Sequence, residues 1–254
     1  MNKSRWLIAL VLMLVCGALL LLPDRDEKMQ YFRNEGFIFG TQYVIQYQAE
    51  EDCHDAIKTA LQEVDNSLSM FNAASVVSKI NRNEDVTTDE DFEAVYAIAH
   101  EVAELTQGAF DITVAPLVNA WGFGFKHKET ITDALIDSLL PLVAYQQVTL
   151  LNHRITKADE RMMLDMSAVA KGYACDKVAN LLRKQGVHNL LVDIGGEVVA
   201  EGTNSRGEVW SVGITKPIDD VTGKTQELQE IIKTEKMCMA TSGNYRNFYY
   251  EGAE

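Results

Sequence analysis

Residues 165–196 read DMSAVAKGYACDKVANLLRKQGVHNLLVDIGG. Ala174, Val178, Leu181 and Leu182 recur at helical spacing, so residues 171–185 predict a helix that buries them. Gly186 stands where a helix commonly ends on a left-handed residue. The apolar run 190–194 predicts a strand, and Gly195-Gly196 separates it from a second strand at 198–200. Upstream of the helix, residues 162–165 form a further short apolar run with strand character.

On the N-terminal side, helical periodicity marks residues 52–68 and residues 89–106, with Asp89 as N-cap. Shorter helical stretches fall at 75–81, 113–120 and 133–139. Strands are expected at 37–47, 148–151 and 154–156. On the C-terminal side, strands are expected at 209–214, 230–232, 237–241 and 245–249. Helices gather early and strands late, which predicts an α+β fold: one domain of helices on a mostly antiparallel sheet.

Almost half of the 254 residues are apolar and only four are proline, which allows a sizeable core. The formal charge of −14 argues against a nucleic acid partner, and an anionic small ligand needs a local positive site. Lys3 and Arg5 precede an apolar run over residues 6–22, and an acidic cluster follows Pro23. That charge order predicts a signal peptide or membrane anchor over residues 1–23 and export of the remainder. Cys16, after Leu14-Val15, is a candidate lipid-attachment residue; a small residue inside an anchor helix is the plainer alternative. Residues 24–34 read as a polar tether, and the domain is expected over 35–254. The remaining cysteines, Cys53, Cys175 and Cys238, have no framework spacing and are expected as buried thiols. None of the five histidines pairs at metal-ligand spacing.

Several short segments could carry chemistry. Asp165-Met-Ser-Ala-Val-Ala-Lys171-Gly172 joins a predicted strand to a helix, where main-chain N–H groups and the Lys171 ammonium suit a phosphate. Asp165 could bind a ligand or help organise a metal. Equally, Ser167 would cap the helix and Lys171 would be solvated. Gly195-Gly196 admits close approach to a ligand, or is an ordinary turn. In Gly108-Ala-Phe-Asp111, Phe110 could stack on an aromatic ring while Asp111 caps the next helix. Ala240-Thr-Ser-Gly-Asn244 could meet a phosphate or ribose, or simply end a strand. Taken singly, each admits the plainer account.

Taken in order, Phe39-Gly-Thr41, the Gly108 and Asp165 segments, Asp193-Ile-Gly-Gly196 and Ala240-Thr-Ser-Gly243 resemble the FAD:protein FMN transferase (ApbE) family from about residue 36 onward. The resemblance implies an enzyme that takes FAD with a divalent metal, usually magnesium. It would join FMN through its phosphate to a Thr or Ser hydroxyl of a target flavoprotein, releasing AMP. By position it implies FAD contacts from Phe39, Phe71, Ala109, Phe110, Asp111, Asp165 and Lys171. Ala168 would offer a metal ligand through its backbone carbonyl. Exported members often carry a lipid or membrane anchor, which places the expected site of action on the extracytoplasmic face of the bacterial cytoplasmic membrane. The resemblance also implies a further C-terminal part, with a histidine before Ile-Asp-Pro and an Ala-Asp-x-x-x-Thr segment that ligates the metal; residues 35–254 would then be C-terminally incomplete. Two other readings fit the same residues: an FAD pyrophosphatase giving FMN and AMP, and a non-catalytic, tethered flavin-binding lipoprotein.

Overall fold

The computed structural model describes residues 29–124, 129–217 and 227–243. The anchor and the strand expected at 245–249 lie outside them. Among the described residues no helix is long and apolar enough to cross a membrane.

The domain is α+β, as expected. A five-stranded antiparallel sheet is built from β1 (Gln30–Ile38), β2 (Thr41–Ala49), β5 (Leu190–Ile194), β6 (Glu197–Glu201) and β9 (Lys236–Met239), in that order. Helices α1 (His54–Leu68), α2 (Val76–Asn81), α3 (Glu90–Leu105) and α6 (Ser167–Lys184) contribute to the core with one face of the sheet. Shorter helices α4 (Ala115–Ala120) and α5 (Asp133–Leu139) and the hairpin β3 (Val148–Leu151) and β4 (Arg154–Lys157) lie between α3 and α6 in the chain. A second hairpin, β7 (Trp210–Thr215) and β8 (Leu228–Thr234), forms its own two-stranded sheet.

Strand alternation divides the core in two. Ile45, Tyr47, Leu190, Val192, Ile194 and Val199 join the buried residues of the helices. Leu191, Val198 and Ala200 point the other way and pack with Trp210 and Val212 of β7. Strands β5 and β6 are therefore apolar on both faces, which is why residues 190–194 lack clean alternation.

The boundary of the domain needs correction. The tether expected over 24–34 overlaps β1, which begins at Gln30. Asn34 is buried; its Oδ1 lies 2.8 Å from the Tyr47 hydroxyl, and its side-chain amide donates to Asp52. The single strand expected at 37–47 is a hairpin. Phe39 and Gly40 form its two-residue turn, both at positive φ (52° and 72°). Phenylalanine is not a residue such a turn favours, so the usual signal was missing.

The expected strand at 162–165 makes one isolated bridge, Val114 to Met163. Asn81 explains how this buried segment avoids a sheet. Its amide donates to the Leu164 carbonyl at 2.9 Å and its side-chain oxygen accepts from the Leu164 N–H at 2.7 Å. The Asp165 N–H donates to the Ile112 carbonyl at 2.7 Å. The main chain is thus satisfied by a side chain and a loop, where a strand partner would otherwise be needed.

Helix α6 starts at Ser167, one turn earlier than its periodicity indicated. Ala170, Ala174, Cys175, Val178, Ala179 and Leu182 are buried. Gly186, at φ 81°, donates its N–H to Arg183 O while Val187 N–H reaches Leu182 O, the paired bonds of a left-handed helix end. Cys53 and Cys175 are buried as expected, but Cys238 is exposed, on β9, which is an edge strand of the sheet among the described residues.

Replacing Asn81 by Ala leaves both Leu164 main-chain groups buried without partners. The expected cost is about 2–4 kcal/mol of unfolding free energy, read by urea denaturation. A loss below about 0.5 kcal/mol would show that the clamp does not hold this segment.

Candidate active site

The sheet registers bring three of the motif turns to one end. Tyr43 pairs with Ile194, Ile194 with Glu197, and Val198 with Met239. The Phe39-Gly40 turn, the Gly195-Gly196 turn and Thr241 therefore lie side by side. A Cβ on Gly195 would come within 2.6 Å of the Thr41 side chain, and one on Gly196 within 2.9 Å of the Thr241 hydroxyl. Both glycines also have positive φ, 63° and 95°, so this turn requires glycine on two counts.

Helix α6 runs back from the same end. Its Lys171 Nζ meets Glu197 Oε2 at 2.8 Å, and its Cys175 Sγ donates to the Glu197 carbonyl at 3.2 Å. Residues 171 and 175 share a face of the helix, and both reach residue 197. Lys171 is therefore paired, with its side chain partly exposed.

The start of α6 is also more occupied than expected. Ser167 is the first residue of α6 and does not cap it; Met166 is the N-cap, without a side-chain cap bond, and Asp165 Oδ1 accepts from Ser167 N–H at 2.8 Å in an Asx turn. Val169 and Ala170 both donate their N–H groups to the Met166 carbonyl. In the glycine turn, Gly195 N–H donates to Gln42 O and Gly196 N–H to Asp193 Oδ1. The motif main chain is largely satisfied from within, and among the motif side chains the positive charge comes from Lys171.

The Gly108–Asp111 segment joins this end through the Asp165 to Ile112 bond. Asp111 does not cap α4. Its Oδ1 accepts from the Thr113 N–H (2.8 Å) and hydroxyl (2.6 Å), and its Oδ2 accepts from Tyr145 N–H (2.9 Å). Thr113 Oγ1 in turn accepts from Ala144 N–H at 2.8 Å, which ties the segment to residues 144–145. Ala109 is exposed and Phe110 half-buried. Phe39 is also half-buried and packs against the core.

Phe71 stands apart from the sheet end. It is 67% exposed and lines a cleft of about 650 Å³ with Met70, Asn81, Pro116, Asn119 and Met163. Met163 is two residues before Asp165, so the cleft and the sheet end share one segment. Apolar walls with a few polar groups suit a flat aromatic ligand.

Magnesium needs near-octahedral oxygen donors. Ala168 is the second residue of α6 and offers only a carbonyl. Among the described residues no group of three or more His, Cys, Asp or Glu side chains could hold a metal ion. The described donors do not by themselves make up a magnesium site. Glu197 went unnoticed in the sequence; the one signal was its place directly after the glycine pair.

The geometry defines a class: an α+β domain whose motif turns meet at one end of an antiparallel sheet. The ApbE family model matches residues 39–254. An FAD:protein FMN transferase of Vibrio cholerae serotype O1 is 32% identical over 258 residues, covering 96% of this chain and 73% of that protein. One of Haemophilus influenzae is 32% identical over 86% of this chain and 67% of its own length. The solved flavin transferase ApbE from Vibrio cholerae superposes with a TM-score of 0.76 at 31% identity, covering 89% of this chain and 75% of that one. The ApbE protein from Thermotoga maritima gives 0.75 at 27% identity, covering 88% and 74%. The chain belongs to the ApbE family, a family of enzymes.

Asp193 gives the site a pH signature. Burial raises its pKa, against the lowering effect of the Gly196 N–H. A raised carboxyl pKa means the folded state holds the proton more tightly, so this group's contribution to stability falls as pH rises above the unfolded value near 3.8. Asp193→Asn keeps an acceptor for Gly196 without the charge. Urea titrations should find the variant more stable than the wild type at pH 7, with the gap closing toward pH 4. A gap that widens in acid would reverse the sign and refute the assignment.

Proposed function

We propose that this protein transfers the FMN part of FAD to a Thr or Ser hydroxyl of a target flavoprotein and releases AMP. The observation that carries the reading is the meeting of the Thr41, Gly195-Gly196, Thr241 and Lys171 segments at one sheet end, linked through the Met163–Asp165 segment to the cleft that Phe71 lines. The names of the relatives supply the chemistry.

In this reading Phe71, and Phe39 and Phe110 nearer the core, receive apolar parts of FAD. Ala109 lies open to the ligand. Asp111 and Asp165 shape the loops that receive it, through the main-chain bonds described above. Lys171 meets the pyrophosphate. The acceptor oxygen attacks the phosphorus of the FMN half, and the bond to the AMP phosphate breaks. Phosphoryl transfer depends mostly on positioning and charge neutralisation, which a fixed ammonium serves. The acceptor hydroxyl has a high pKa and needs a base or a metal to take its proton. Metal dependence is part of the proposal: magnesium, when bound, would supply Lewis-acid stabilisation of the phosphate charge, with Ala168 O as one donor. Residues 1–23 would hold the domain at the extracytoplasmic face of the bacterial cytoplasmic membrane, through an anchor helix or a lipid on Cys16.

Incubation with FAD, magnesium and a flavoprotein acceptor should produce an in-gel fluorescent target carrying the added mass of FMN on Thr or Ser. Chelation should abolish the product. AMP release without any labelled target would instead indicate hydrolysis of FAD, and FAD binding without turnover would indicate a carrier.

A further inference from the structure

We propose that Glu197 is a positioning residue for Lys171, fixing its ammonium beside the Gly195-Gly196 turn for the pyrophosphate of FAD. The proposal rests on the flavin-transfer reading above.

The Glu197 side chain is only 13% exposed, and its Oε2 lies 2.8 Å from Lys171 Nζ. Apart from that ammonium, Oε2 is buried without a hydrogen-bond partner. A carboxylate so placed is costly when left alone, so the lysine cannot swing away into solvent without penalty. The residue that carries it is held in turn. Glu197 pairs with Ile194 across the turn, and its carbonyl accepts from Cys175 Sγ one helical turn beyond Lys171.

A long flexible side chain loses rotamer freedom when it binds a ligand. Here Lys171 is ordered beforehand. An ammonium has three N–H donors. Contact with one carboxylate oxygen leaves donors for a phosphate, and the side chain remains 32% exposed for a ligand to reach it. The N–H groups of Gly195 and Gly196 are already engaged, and among the motif side chains the positive charge comes from this ammonium. A second pair between the same two elements, Arg183 with Glu201 at 2.8 Å, already ties the far end of α6 to β6. The Lys171–Glu197 pair differs in standing at the end where the motif turns meet.

The test is a double-mutant cycle on the full chain, with FAD affinity read by flavin fluorescence. Riboflavin, which has the ring but no phosphate, is the control. Glu197→Gln and Lys171→Met should each weaken FAD binding at least about tenfold, and the double variant should be little worse than either. Glu197→Asp, which keeps the charge on a shorter stem, should lose less than Gln. Riboflavin affinity should stay near wild type throughout, and the thermal midpoint should fall most in Lys171→Met, which leaves the Glu197 carboxylate without its partner. Wild-type FAD affinity in Glu197→Gln with a loss in Lys171→Met overturns the role. So does an equal loss for riboflavin, which would mark a general collapse of the site. A wild-type chain that binds no FAD overturns the functional reading itself, and the role with it.

Discussion

The arrangement depends on how α6 lies along β5 and β6. Its buried face is mostly small, with Ala170, Ala174, Cys175 and Ala179, and small residues let a helix settle close to a sheet. At Gly186 the chain reverses and returns as β5. The helix start and the β5–β6 turn must then fall at the same end, because helix and strand run in opposite directions from one reversal. Every motif that meets there does so by pairing with β5 or β6, or by bonding to the segment that leads into α6.

Much of this was legible in the sequence, for physical reasons. The 3.6-residue spacing of Ile57, Leu61, Val64 and Leu68 and of Phe92, Val95 and Ala99 fixed α1 and α3 to within about two residues, since a buried stripe has no other economical conformation. Gly186 and Asp89 marked ends by their backbone and side-chain chemistry. What escaped was set by distant partners. Residues 162–165 look like a strand because they are apolar, yet Asn81, some eighty residues earlier, satisfies the main chain that a neighbouring strand would have taken. The Phe39-Gly40 turn escaped because only one of its two residues announces positive φ. A non-glycine residue held in that region is uncommon and costs energy. Phe39 is also one of the positions at which the family resemblance implies contact with FAD.

The site residues divide along the same line. Local spacing could show that Asp111, Asp165 and Lys171 stand near helix starts, but not what they would bind. In the folded chain both aspartates accept main-chain N–H groups, so their acidity serves the shape of the loops. Lys171 is committed to Glu197, twenty-six residues on, a pairing that no periodicity within α6 could reveal. The most informative residue at this end was thus the one with no motif of its own.

A chain with a formal charge of −14 makes anion binding an electrostatic problem before it is a chemical one. One solution is a broad basic surface, which so negative a net charge disfavours. The other is a single cation kept in place by the fold. A surface lysine would be screened and mobile, and its pairing would contribute little. A lysine held by a buried carboxylate, at the sheet end where Thr41 and Thr241 close on the turn glycines, concentrates positive charge where the motif turns meet. The acidic partner lowers the net charge of the pair, yet it fixes direction, and in phosphoryl transfer direction is most of what a protein supplies.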